Sequence, residues 1–188
     1  MSSPLESDEL LCTYLGIITA RWGMMEEALC LLLGRLLDDE VTGRSIYFAT
    51  GSFRQRIEAL KAVGDSRIVA VDDFETFNNV LKRIYKAFQV RNQLIHSHYV
   101  LVVEDTKGER SAISRYFNKE ISLDSESLKP LFLGRQTEDD IIRVNKGTFM
   151  NHGDKIENMI DDVADMISKI ENEEFELGKV GFSRYISP

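Results

Sequence analysis

Apolar side chains recur along residues 8–38 at Leu11, Leu15, Ile18, Trp22, Met25, Leu29, Leu32 and Leu36, spaced alternately by four and three. That is the period of one face of an α-helix, so the pattern predicts a long core helix. A second row, Leu10, Tyr14, Ile17, Met24, Ala28 and Leu31, lies beside the first. Together they make a face wider than one neighbour covers, which predicts packing on two sides, a dimer contact among the options. A third row carries Cys12, Gly16, Thr19, Gly23, Glu26 and Cys30. Each glycine inside a helix costs roughly 1 kcal/mol against alanine, so Gly16 and Gly23 point to the close approach of another backbone.

A short helical stretch is expected over 45–50. Ser52 with Gln55 then forms a capping box for a third helix bearing Phe53, Ile57, Leu60 and Val63 and ending near Gly64. Asp72 with Glu75 repeats that arrangement before a fourth helix, where Phe74, Phe77, Leu81, Ile84, Phe88, Arg91 and Ile95 alternate by three and four. From residue 98 the period changes. Tyr99 to Val103 is a β-branched apolar run, Gly108 marks a turn, and a return strand follows over 110–117. Residues 122–140 look irregular, and 141–144 offer a third short strand. A last helix over 148–174 carries Ile156, Ile160, Val163, Ile167 and Ile170, and the tail, 175–188, is expected to be loose. The prediction is therefore a mainly α, single-domain chain over 1–188. It is an up-and-down helical bundle with a small β-hairpin or three-stranded insert, about 98–145, between the fourth and last helices.

Composition adds limits. The 188 residues are 43% hydrophobic and 29% charged, ordinary for a globular domain. No apolar run approaches the roughly 20 residues of a membrane span, and no basic stretch precedes an apolar one at the N-terminus. A cytoplasmic protein is expected. Cys12 and Cys30 fall about 27 Å apart on the first helix, too far to bond there, and free thiols suit a reducing compartment. The net charge of -8 argues against a general nucleic-acid coat, yet residues 52–91 hold eight basic side chains against five acidic ones. A phosphate-bearing ligand would be steered there, and a solvated mixed-charge face explains the same residues.

Candidate chemistry sits at the end of the fourth helix. Arg91 occupies a core-seam position, and burying an unpaired charge costs several kcal/mol, so it must pair with an acid, bind an anion or face a cavity. Glu26 and Glu27 are the candidate acids. Beside Arg91 run Asn78, Tyr85, Gln89, Asn92 and His96, a polar row in which Asn92 and His96 are one turn apart. A histidine there serves equally as a helix C-terminal cap. His96, His98 and His152 show no zinc-site spacing and no close cysteine pair exists, so no metal and no cofactor are expected. Gly16, Gly23 and Gly34 lie within a helix rather than in a phosphate-cradling loop.

The run Arg91-Asn92-Gln93-Leu94-Ile95-His96 resembles the R-N-x-x-x-H signature of HEPN domains. A preceding long amphipathic helix, a following extended segment and a final helix agree with that family across most of the chain. The resemblance implies a small, dimeric helical bundle and, as in many members, a metal-independent ribonuclease of toxin-antitoxin, abortive-infection or other antiviral systems. It implies that Arg91 and His96 line a cleft near the dimer axis, supported by Asn92. One group of such toxins has a tyrosine two residues after the histidine. Here His98 stands at that place and Tyr99 follows, so a tyrosine-modification mechanism does not transfer. His98 reads either as a second proton-transfer group or as a strand-entry residue. Three functions follow as expectations: an endoribonuclease with RNA as substrate, a non-catalytic module binding a protein, RNA or nucleotide, or the antitoxin-type partner of another gene product.

Overall fold

The computed structural model describes residues 4–96, 99–105, 110–114, 128–136, 141–143, 146–175 and 177–178. The described residues are mainly helical, with α1 (Pro4–Leu37), α2 (Glu40–Ala49), α3 (Phe53–Arg67), α4 (Val71–Ile95) and α5 (Lys146–Glu171). The chain forms two compact units, Met1–Thr19 with Val90–Gly153, and Ala20–Gln89 with Asp154–Pro188.

The second unit holds most of the core. The α1 seam is buried as its spacing requires, with Trp22, Met25, Leu29, Leu32 and Leu36 all at 3% exposure or less. Paired residues give the helix directions. Glu26 meets Arg56 and the Leu36 carbonyl meets Arg67, so α3 runs the same way as α1. Phe53 stacks on Phe88 at 4.5 Å and Gly64 abuts Phe77, so α4 returns antiparallel to α3. Arg21 pairs with Asp154 and Glu157, and Arg35 with Glu171, which sets α5 parallel to α1. Arg44 meets Glu27 and Glu40 abuts Gly34, so α2 carries the chain back along α1 and successive helices of this unit alternate in direction.

Local chemistry explains the joints. Asp39 caps α2, accepting from the Thr42 amide at 3.0 Å and the Thr42 hydroxyl at 2.6 Å, which holds its carboxyl below the usual value. The helix starts at Glu40 and is longer than the 45–50 stretch expected. The Ser52–Gln55 capping box is formed as predicted. At α4 the corresponding reading fails: the helix opens at Val71, so Asp72 lies in the first turn, where its charge still complements the helix dipole.

The glycine expectation is corrected. A Cβ at Gly16 or Gly23 would meet nothing within 4 Å, whereas one at Gly34 would stand 2.9 Å from the Glu40 Cα, and one at Gly43 would overlap Gly34. Close backbone approach occurs where α2 crosses α1. Within the single chain the second apolar row of α1 leaves Ile17, Met24 and Leu31 42%, 61% and 40% exposed.

Nor are the described residues of the tail loose. Phe175 is buried, Leu177 bridges to Ile68, and the Gly178 amide donates to the Arg67 carbonyl at 2.6 Å. Burial of one aromatic and one backbone bridge fix the segment without any periodic pattern. Residue 176 and residues 179–188 lie outside the described residues.

In the first unit, four antiparallel strands follow α4: β1 (Tyr99–Asp105), β2 (Arg110–Ser114), β3 (Leu128–Gln136) and β4 (Ile141–Arg143), in the order β2-β1-β3-β4. Leu101 pairs with Ile113 on one side and Leu133 on the other, and the register shifts between Val102 and Val103, opposite Pro130. β3 falls in the stretch read as irregular. Its Pro130 and Gly134 break the alternation that marks a strand in sequence, and pairing along β1 supplies the order instead. Tyr14 of α1 stacks on Phe149 of α5, centroids 6.0 Å apart.

Candidate functional site

The residues that the sequence singles out converge on the last turn of α4, inside the first unit. The helix persists to Ile95, and the His96 amide still donates to the Asn92 carbonyl at 2.9 Å, so Arg91, Asn92 and His96 share one helical frame. Arg91 and Asn92 are half-buried and His96 is exposed. The seam shifts here: Leu94 is 4% exposed while Ile95 is only half-buried, so burial follows Ala87 and Leu94 at the helix end.

Arg91 has an unusual set of partners for a half-buried cation. Its Nη1 donates to Asn92 Oδ1 at 2.9 Å, and its Nε is buried with no hydrogen-bond partner. The one side chain it bonds among the described residues is neutral. Among the described residues, no carboxylate pairs with it. Both acids considered for that role are taken within the second unit: Glu26 bonds Arg56 Nη1 at 2.7 Å, and Glu27 bonds Arg44 Nη1 at 2.5 Å. An Arg91 ion pair with Glu26 or Glu27 is thus replaced by two other pairs, each between α1 and a helix that follows it.

Chemically, a guanidinium held by an amide oxygen and left unneutralised is an anion-binding group, because its remaining N–H donors match phosphate or carboxylate oxygens. His96, five residues on, is solvent-accessible, and its side chain makes no hydrogen bond among the described residues. The chain matches no known protein family, no curated protein and no solved structure.

His98 lies outside the described residues. Tyr99 opens β1, its backbone paired with Arg135. His152 is 6% exposed in α5, and among the described residues no group of three or more His, Cys, Asp or Glu side chains is placed to hold a metal ion. Cys12 is exposed and Cys30 buried, both as free thiols, and burial with the nearby Glu27 pushes the Cys30 thiol up. Among the described residues no helix is long and apolar enough to cross a membrane.

Two arginines that the sequence reading counted only as charge prove to be structural centres. Arg56 joins α1, α2 and α3, donating to Glu26 and, at 3.2 Å from Nε, to the Thr50 carbonyl, with its guanidinium 5.1 Å from the Tyr47 ring centre. Arg67 is 9% exposed and, among the described residues, bonds only backbone carbonyls. No local signal marks either as a centre, since Glu26 lies 30 residues from Arg56 and Leu36 lies 31 from Arg67 in sequence.

Proposed function

We propose that this protein is a HEPN-like, metal-independent endoribonuclease that acts in the cytoplasm as a homodimer, as a toxin or antiviral effector. The observation that carries the reading is the Arg91 guanidinium, half-buried on a core helix, hydrogen-bonded to neutral Asn92 and, among the described residues, without an acid. A phosphodiester supplies the missing negative charge. The accessible His96 five residues on supplies a titratable group.

In this mechanism His96 takes the proton of an RNA 2′-hydroxyl as its oxygen attacks the adjacent phosphorus. Arg91 binds the non-bridging oxygens and stabilises the extra charge of the transition state, while Asn92 holds the guanidinium. The 5′-oxygen of the next nucleotide leaves with a proton from the His96 of a second copy. The products are a 2′,3′-cyclic phosphate and a 5′-hydroxyl, and no step uses a metal or a cofactor. The HEPN-like bundle, with its inserted sheet between α4 and α5, belongs to the same proposal.

The test is an assay of purified protein in EDTA on total and transfer RNA, beside His96→Ala and Arg91→Ala. Cleavage that leaves 2′,3′-cyclic ends and disappears in both variants is the expected result. Unaltered cleavage by both variants would end the proposal.

One observation favours a second reading. His96 has no hydrogen-bond partner to orient its ring among the described residues, whereas Arg91 has Asn92. A module that binds RNA or a nucleotide through Arg91 without turnover accounts for that difference, and its signature is RNA binding that needs Arg91 but not His96, with no cleavage.

A further inference from the structure

A cavity of about 560 Å³ opens in the second unit where the ends of α1, α3 and α5 meet the segment after α5. Its size is in the range of small-molecule sites. One wall is apolar, made by Ile170, Phe175 and Leu177. The polar wall centres on Arg67, whose Nε donates to the Leu36 carbonyl at 2.8 Å and whose Nη1 donates to the Gly178 carbonyl. Both acceptors are neutral. Nη2 has no partner among the described residues, and no carboxylate forms an ion pair with this 91% buried side chain. Clamping two carbonyls accounts for two of its nitrogens and leaves its charge unanswered.

The opposite charges on the cavity wall are also uncommitted. Asp38 and Glu173 line it, and neither carboxylate makes a hydrogen bond or ion pair among the described residues. Each follows a long helix in the left-handed conformation, at φ 56° and 59°. Each is the turning residue of the same hydrogen-bonded helix end: the Asp39 amide reaches back to Gly34 and that of Asp38 to Arg35, as Glu174 reaches Lys169 and Glu173 reaches Ile170. Glycine is the ordinary occupant there, because a side chain costs about 1 kcal/mol in that conformation. Acids therefore stand at two strained positions on the wall of a cavity that one buried cation also lines. Arg35, also on the wall, is already neutralised by Glu40 and Glu171.

We propose that this cavity binds a small zwitterion of the amino-acid class, its carboxylate on Arg67, its ammonium on Asp38 and Glu173, and its apolar body against Ile170, Phe175 and Leu177. A phosphate dianion fits poorly, since two free carboxylates repel it. A simple cation fits poorly too, since Arg67 repels it.

The experiment is isothermal titration of the full chain with each of the twenty standard L-amino acids. For any that binds, the amine lacking its carboxylate and the acid lacking its ammonium serve as controls. The expected result is saturable binding of at least one amino acid, with both controls weaker by about tenfold or more. The double variant Asp38→Asn with Glu173→Gln, altered only at exposed side chains, weakens binding by a similar factor. Arg67→Lys keeps the charge but loses the fork, and is read only if it folds. No binding of any of the twenty below about 10 mM, unchanged affinity in the double variant, or preferential binding of inorganic phosphate would each overturn the proposal. None of these residues lies at Arg91 or His96, so the outcome is independent of RNA cleavage.

Discussion

Arg56 and Glu26 form a partly buried ion pair, Nη1 to Oε1 at 2.7 Å, that ties α3 to α1 at the point where α2 ends. The same guanidinium bonds the Thr50 carbonyl and lies over Tyr47 and Phe48. Tyr47 is 1% exposed, and burial, with Glu26 nearby, pushes its phenol well above the ordinary range, so it stays neutral. Arg56→Ala strips Glu26 of its counter-charge and Thr50 of a donor, and the expected loss is about 2 kcal/mol in urea unfolding. Glu26→Gln keeps a hydrogen-bond acceptor and loses about 1 kcal/mol. Equal, negligible losses in both variants would show that the pair contributes only geometry.

How much of this was legible in the sequence depends on the distance over which each feature is decided. The Ser52–Gln55 capping box and the buried α1 seam are local patterns, and both are formed. Ile17, Met24 and Leu31 are exposed within the single chain: period reveals a face but not what lies opposite it. Arg56 and Arg67 were invisible as structural centres for the same reason. At Arg91 the seam position correctly marked a charge in need of explanation, while the acids nominated for it turned out to serve Arg56 and Arg44.

Gly64 gives a packing test. A Cβ there would stand 2.7 Å from Cζ of Phe77, a ring that is itself 1% exposed and cannot swing into solvent. Gly64→Ala should cost about 2 kcal/mol by overpacking, and adding Phe77→Leu should recover part of it. Gly23→Ala, on an open stretch of α1, should instead stabilise by up to about 1 kcal/mol through helix propensity. Calorimetric melting of the three variants distinguishes these signs, and a destabilising Gly23→Ala would mean that another chain approaches there.

Asp39 gives a pH test. Its carboxyl is held below 3.8 by the hydroxyl and amide of Thr42. A lowered folded value means that the ionised cap stabilises α2 fully above 3.8 and loses that contribution as pH falls through the folded value. Asp39→Ala should therefore melt lower than the parent at neutral pH, with the gap closing in acid, whereas Asp39→Asn keeps an acceptor and loses less. A gap that is constant down to the most acid pH would assign the effect to something other than the charge.

Arg91 separates function from stability most sharply. Its buried Nε has no partner and, among the described residues, its one bonded side chain is neutral and nothing offsets the desolvated charge. If that charge is kept for a phosphate, then Arg91→Met, which fills similar volume without charge, should leave the melting temperature unchanged or raise it while removing RNA cleavage and weakening RNA binding. A residue kept for structure behaves in the opposite way: its loss lowers stability, and any fall in activity follows the fraction unfolded. Melting and cleavage measured on the same preparation decide between them. A variant that is destabilised by about 2 kcal/mol or more and still cleaves when folded would remove Arg91 from the site.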